Sequence, residues 1–144
     1  MTAARWTRLG ATAILLGALV GCREERARGR VVPGGDAARG RGAIVAYGCG
    51  GCHVIPGVPG ASGRVGPPLT DYAARAFVAG ALPNEPASLV RWIRDPQGVT
   101  PGTAMPDLGV PDSVARHMAA FLYTLDAGRL GAPHVIPASV LPAH

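Results

Sequence analysis

No apolar run in this sequence is long enough to serve comfortably as a permanent membrane span. The single candidate, Leu9 to Val20, supplies about 12 residues where roughly 20 are needed to cross the hydrocarbon core. Lysine is absent, so all 14 basic side chains are arginines. Sustained period-two alternation of apolar and polar residues is missing too, which argues against a β architecture and leaves an all-α fold by exclusion. Aromatic residues amount to only 5%, and of the seven present all but Trp6 fall between Tyr47 and Tyr123. The material for a packed core is therefore concentrated there. With 144 residues, one small domain plus appendages is the expectation. The 48% hydrophobic content excludes wholesale disorder, while 21 glycines and 14 prolines promise many turns.

What is there begins with an export signal. Arg5 and Arg8 precede the apolar run, which stops at Leu19-Val20-Gly21-Cys22, the pattern of a secretory signal peptide. The four residues ending at Cys22 resemble the lipobox of bacterial lipoproteins, in which the cysteine is acylated and becomes the new N-terminus; the plainer alternative is an ordinary signal peptide with a chance cysteine. Several acyl chains at roughly 0.8 kcal/mol per buried CH₂ would give stable anchoring. Residues 1–21 are thus read as a lipoprotein signal peptide and 22–35 as a flexible basic tether. Without Arg5 and Arg8 the chain keeps 12 arginines against nine acids, a net +3. That excess sits between Arg23 and Arg41, where it either lies against anionic headgroups or is simply solvated.

The domain itself is expected over residues 36–127, followed by an irregular Pro-containing tail at 128–144. Asp36 offers an N-cap for a short first helix running from Ala37 to about Cys49, although Gly40 and Gly42 each weaken it by up to about 1 kcal/mol. Eight glycines and prolines between Pro56 and Pro68 predict a long surface loop. A helical patch is predicted from about Asp71 to Ala79, another from Pro86 to Pro96, and a last helix from Pro111 or Asp112 to Leu125. In the last, Val114, Met118, Phe121, Leu122 and Leu125 form the clearest amphipathic stripe of the chain.

Cys49-Gly50-Gly51-Cys52-His53 carries the chemistry. Two thiols three residues apart face the same way on one helical turn, so each can add to a vinyl group of one haem while the adjacent imidazole lies beneath the iron. Two rivals fit less well. A thioredoxin-like dithiol would open a helix after a strand, and no strand pattern precedes these cysteines. A zinc site needs four ligands, and the one other cysteine belongs to the lipobox. The expected cofactor is therefore one haem c, covalent through Cys49 and Cys52, with His53 as one axial ligand. Met105 is expected as the second, because it sits in a Pro-bounded loop with no periodic apolar partner, whereas Met118 belongs to the helix stripe. His117, His134 and His144 read as solvated. Trp92 and Arg75 are candidate donors to the haem propionates.

With these residues the chain resembles the monohaem class I cytochromes c over roughly residues 36–127. The resemblance rests on the haem motif, Gly66-Pro67-Pro68-Leu69, Leu89-Val90-Arg91-Trp92-Ile93, Pro101-Gly102-Thr103-Ala104-Met105-Pro106 and Ala119-Ala120-Phe121-Leu122, in that order. It looks especially like the small cytochromes and cytochrome domains associated with bacterial terminal oxidases. The resemblance implies a cytochrome c fold, small helices wrapped around the haem, and assigns the Pro67 carbonyl to orient His53. The implied function is a membrane-anchored single-haem electron carrier, not an enzyme, serving a quinol-oxidising complex, a dehydrogenase or a terminal oxidase. Nucleic acid is no partner. The location would be the outer face of the cytoplasmic membrane or the periplasm. Alternatives are a haem enzyme or gas sensor with an open sixth site, and a structural haem subunit of a larger complex.

Overall fold

A computed structural model of the chain describes residues 30–126. The proposed signal peptide, Cys22, His134, His144 and the tail lie outside the described residues. Within them the order is α1 (Ala37–Ala46), a 3₁₀ turn (Cys49–Gly51), a second 3₁₀ turn (Tyr72–Ala74), β1 (Phe77–Val78), β2 (Leu82–Pro83), α2 (Pro86–Arg94), α3 (Pro96–Val99) and α4 (Asp112–Leu122).

Helix α1 starts where Asp36 accepts from the amides of Ala38 (2.8 Å) and Arg39 (3.0 Å). The Arg39 amide is the main reason that the Asp36 carboxyl is held below the usual range, with the Ala38 amide and the charge of Arg39 adding to it. It ends sooner than the pattern predicts. Gly48 adopts the left-handed conformation (φ 70°), which breaks the helix and lets Cys49–Gly51 start afresh as a tight turn.

The core forms where α1 crosses α4. A Cβ built on Gly40 would lie 1.9 Å from the His117 carbonyl oxygen, so only glycine permits this approach. Ile44 from α1 and Ala115, Met118, Ala119 and Leu122 from α4 are buried at and around the crossing. The residues that weaken α1 as an isolated helix are thus partly explained by packing. Residues before Asp36 share in it as well. Val32 is buried, the Pro33 carbonyl accepts from Arg116, and the Asp36 amide donates to Nδ1 of His117 at 3.0 Å. His117 is therefore half-buried and bonded, not merely solvated.

Two further departures have local causes. The alanine-rich stretch after Asp71 makes one 3₁₀ turn and then extends into β1, which pairs antiparallel with β2 through a turn holding Ala79 (φ 52°) and Gly80 (φ 71°). Buried Asn84 is the reason: its side-chain amide donates to the carbonyls of Tyr72 (3.1 Å) and Arg75 (3.0 Å), and its backbone amide donates to that of Ala76 (2.9 Å). Carbonyls that a continuing helix would use internally are thereby taken, and tertiary bonding overrides helix propensity. The Pro/Gly-rich loop, for its part, is folded. It buries Ile55, Val58 and Leu69 and closes on itself through a bridge between Val54 and Ser62.

Gly40→Ala is expected to lower stability by about 1–3 kcal/mol through overpacking, and Gly42→Ala, which meets open space, to raise it by up to about 1 kcal/mol. Denaturant unfolding of both variants checks the pair, and equal effects would refute the close crossing. Because the Asp36 pKa is lowered on folding, its contribution is present above the ordinary carboxylate range and lost as pH falls through the folded value. Asp36→Ala should therefore unfold more easily than wild type at neutral pH, with the difference shrinking in acid melts.

Candidate functional site

A cavity of about 580 Å³ opens between the Cys49–His53 segment, the Gly66–Pro67 loop, the hairpin and the Met105 loop. Cys49, Cys52, His53, Pro67, Arg75, Trp92 and Met105, each singled out in the sequence, all lie on its wall. They come from five separate places along the chain.

The 3₁₀ turn after Gly48 presents the cysteines. The amides of Cys52 (3.2 Å) and His53 (3.0 Å) both donate to the Cys49 carbonyl, which curls the motif into one turn. Burial pushes the Cys49 thiol up and the neighbouring Cys52 adds to this, so the thiol is protonated and a poor nucleophile on its own.

His53 is fixed by its other neighbours. Its Nδ1 lies 2.8 Å from the Pro67 carbonyl oxygen, an arrangement that requires Nδ1 to carry the proton and leaves the Nε2 lone pair free to bind a metal. Gly66 packs against the ring: a Cβ there would stand 2.2 Å from Cε1 of His53. The Gly66 amide donates to the Cys52 carbonyl at 2.9 Å, which ties this loop to the motif.

On the opposite chain segment, Met105 is half-buried and sits among backbone held by Gln97. Arg75 donates to the Pro68 carbonyl and lies over the Tyr72 ring, 5.1 Å from its centroid. Tyr72 in turn packs on Tyr123, whose hydroxyl donates to Asn84 at 3.0 Å. The Thr100 hydroxyl, on a residue of the same wall, is buried with no hydrogen-bond partner among the described residues. At the mouth stand three exposed apolar side chains, Val65 (69%), Phe77 (58%) and Leu108 (42%).

Sequence reading missed Asn84, Gln97 and Thr100. Asn84 follows Pro83 and Gln97 lies between Pro96 and Gly98, so both read as ordinary turn residues, and nothing local marks their bonds to distant backbone.

Gly66→Ala should push the His53 ring off the Pro67 carbonyl. The expected result is loss of the protected Nδ1–H signal in ¹⁵N NMR together with about 1–3 kcal/mol of stability. Retention of that signal would show that the ring is not held by this contact.

No family model matches the chain, and neither does any solved structure. The chain is similar to cytochrome c oxidase subunit 2 of Alkalihalophilus pseudofirmus, 36% identical over 84 residues, and to that of Bacillus sp. strain PS3, 37% identical over 65. These matches cover 58% and 44% of this chain but only 23% and 18% of the relatives. They correct two expectations. The relatives are named as a subunit of an oxidase, an enzyme, so the reading as a protein that is not an enzyme does not stand. The covalent haem c assigned to Cys49 and Cys52 is likewise withdrawn, since the relatives are named as an oxidase subunit and not as cytochromes c. Nor, among the described residues, is any group of three or more His, Cys, Asp or Glu side chains placed to hold a metal ion together.

Proposed function

We propose that this chain supplies an electron-transfer domain associated with a terminal oxidase, with a redox metal centre in the cavity between His53 and Met105. The observation that carries this reading is the convergence on one cavity wall of an oriented imidazole, a thioether and two thiols from separate stretches of chain. The likeness to subunit 2 of two oxidases supports the choice of partner.

The residues suit such a centre. His53 offers Nε2 because Pro67 holds its other nitrogen, and Met105 offers a soft sulfur. His53 and Met105 would be two of the residues to hold such a centre. Bound there, the centre supplies one-electron oxidation and reduction. Apolar walls keep bulk water from it, and the buried Thr100 hydroxyl is available to donate to a polar edge of the occupant. The exposed apolar rim of Val65, Phe77 and Leu108 lets a partner approach the cavity mouth with little desolvation of charge.

A mainly helical domain over residues 36–127 belongs to the same reading. So do export and anchoring through Cys22 on the outer face of the cytoplasmic membrane. Among the described residues no helix is long and apolar enough to cross a membrane.

Metal analysis and redox titration of the exported, purified protein test the proposal. One metal per chain and one reversible one-electron wave are expected, with the metal lost in His53→Ala and the wave shifted in Met105→Ala. Absence of any redox-active metal from protein made in an exporting host would overturn it.

A further inference from the structure

We infer that Gln97 is the positioning residue for Met105. Helix α3 is only four residues long, and its start is set by Asp95, which accepts from the Gly98 amide at 2.7 Å. This places Gln97 directly under the loop that carries Met105. Its side-chain nitrogen donates to the carbonyls of Thr103 and of Met105 itself, both at 2.9 Å, and its side-chain oxygen accepts from the Gly102 amide at 3.1 Å. Both donors and one acceptor of a single carboxamide are thus spent on three backbone groups within residues 102–105.

The amide orientation follows from the partners. Reversed, its oxygen would face two carbonyl oxygens and its nitrogen would face an N–H, so one orientation alone satisfies the loop. The loop has little else to hold it. Among its own bonds are Thr103 amide to Thr100 carbonyl at 3.2 Å and Met105 amide to the Thr103 hydroxyl at 3.4 Å, the latter at the limit of a hydrogen bond. Gly102 needs its glycine for a φ of 80°, and the loop carries no regular structure up to α4. Fixing the Met105 carbonyl restricts its Cα, so only side-chain rotation remains to aim the sulfur at the cavity.

Gln97 is exposed and does not line the cavity, and it acts on the centre only through Met105. The inference rests on the reading of Met105 as a ligand. What it adds is that the strength of that ligation is set by an exposed residue outside the cavity.

The test uses the metal-loaded exported protein and imidazole as a competing ligand. Gln97→Glu keeps the volume and the acceptor but removes both donors, and Gln97→Leu removes all three bonds. Loss of two neutral hydrogen bonds should let imidazole displace Met105 on the order of tenfold more readily. The Met105 methyl resonance should move from its metal-bound position toward that of buried Met118, while thermal unfolding stays near wild type. If imidazole affinity and the methyl signal are unchanged in both variants while Met105→Ala alters them, Gln97 does not position Met105 and the ligand reading stands. If Met105→Ala itself changes neither imidazole binding nor the redox wave, the ligand reading fails and this inference goes with it.

Discussion

The crossing of α1 over α4 at Gly40 is what allows the rest of the domain to be hollow. A small unit has little core with which to offset the entropy of ordering its chain, and a cavity of about 580 Å³ removes much of the space in which side chains would otherwise meet. Backbone must then approach backbone closely somewhere else. Glycine at position 40 makes that approach against the His117 carbonyl, and the buried alanines Ala115 and Ala119 keep the same face of α4 low. Packing is thus dense where α4 meets α1, and the cavity lies apart from that crossing, between the Cys49–His53 segment, the hairpin and the Met105 loop.

Around the cavity the same economy recurs, with glycine or proline where a side chain would collide and one polar group serving several backbone atoms. Gly66 leaves room for the His53 ring while Pro67 supplies its acceptor. Asn84 bonds three carbonyls through side chain and backbone and receives the Tyr123 hydroxyl, which converts a helix-prone stretch into a hairpin at the cavity mouth. Gln97 does the corresponding service for the Met105 loop. Asn84 and Gln97 shape the wall without lining it, and the irregular loop at 100–111 is held by Gln97.

Similarity to a fraction of oxidase subunit 2 changes how the site is read. Taken alone, the cysteine pair and His53 suggested a free-standing carrier with haem c attached through two thiols. Relatives named as an oxidase subunit redirect attention to an enzyme complex. Among the described residues no three His, Cys, Asp or Glu side chains are grouped so as to hold a metal ion. What persists through the correction is the oriented imidazole of His53 and the separately held Met105, both on the wall of one cavity.

Sequence alone determined the features that depend on neighbours in the chain. The N-cap at Asp36, the proline start of α2, the stripe of α4 and the turn formed by Cys49 to His53 all follow from spacing along one segment, and all appear near where they are expected, whereas Pro96, expected to close α2, also opens α3. Tertiary structure decided everything in which distant residues compete for the same backbone. The hairpin at 77–83 replaced a predicted helix because Asn84 takes its carbonyls. The ordered loop at 54–70 replaced an expected surface excursion because Ile55, Val58 and Leu69 found cover. The bonded state of His117 and the packing of Val32 arose because the segment before α1 lies along α4. Hydrogen-bond partners many residues apart leave no periodic trace, and glycine reads as a flaw in a helix until the neighbour it admits is in view.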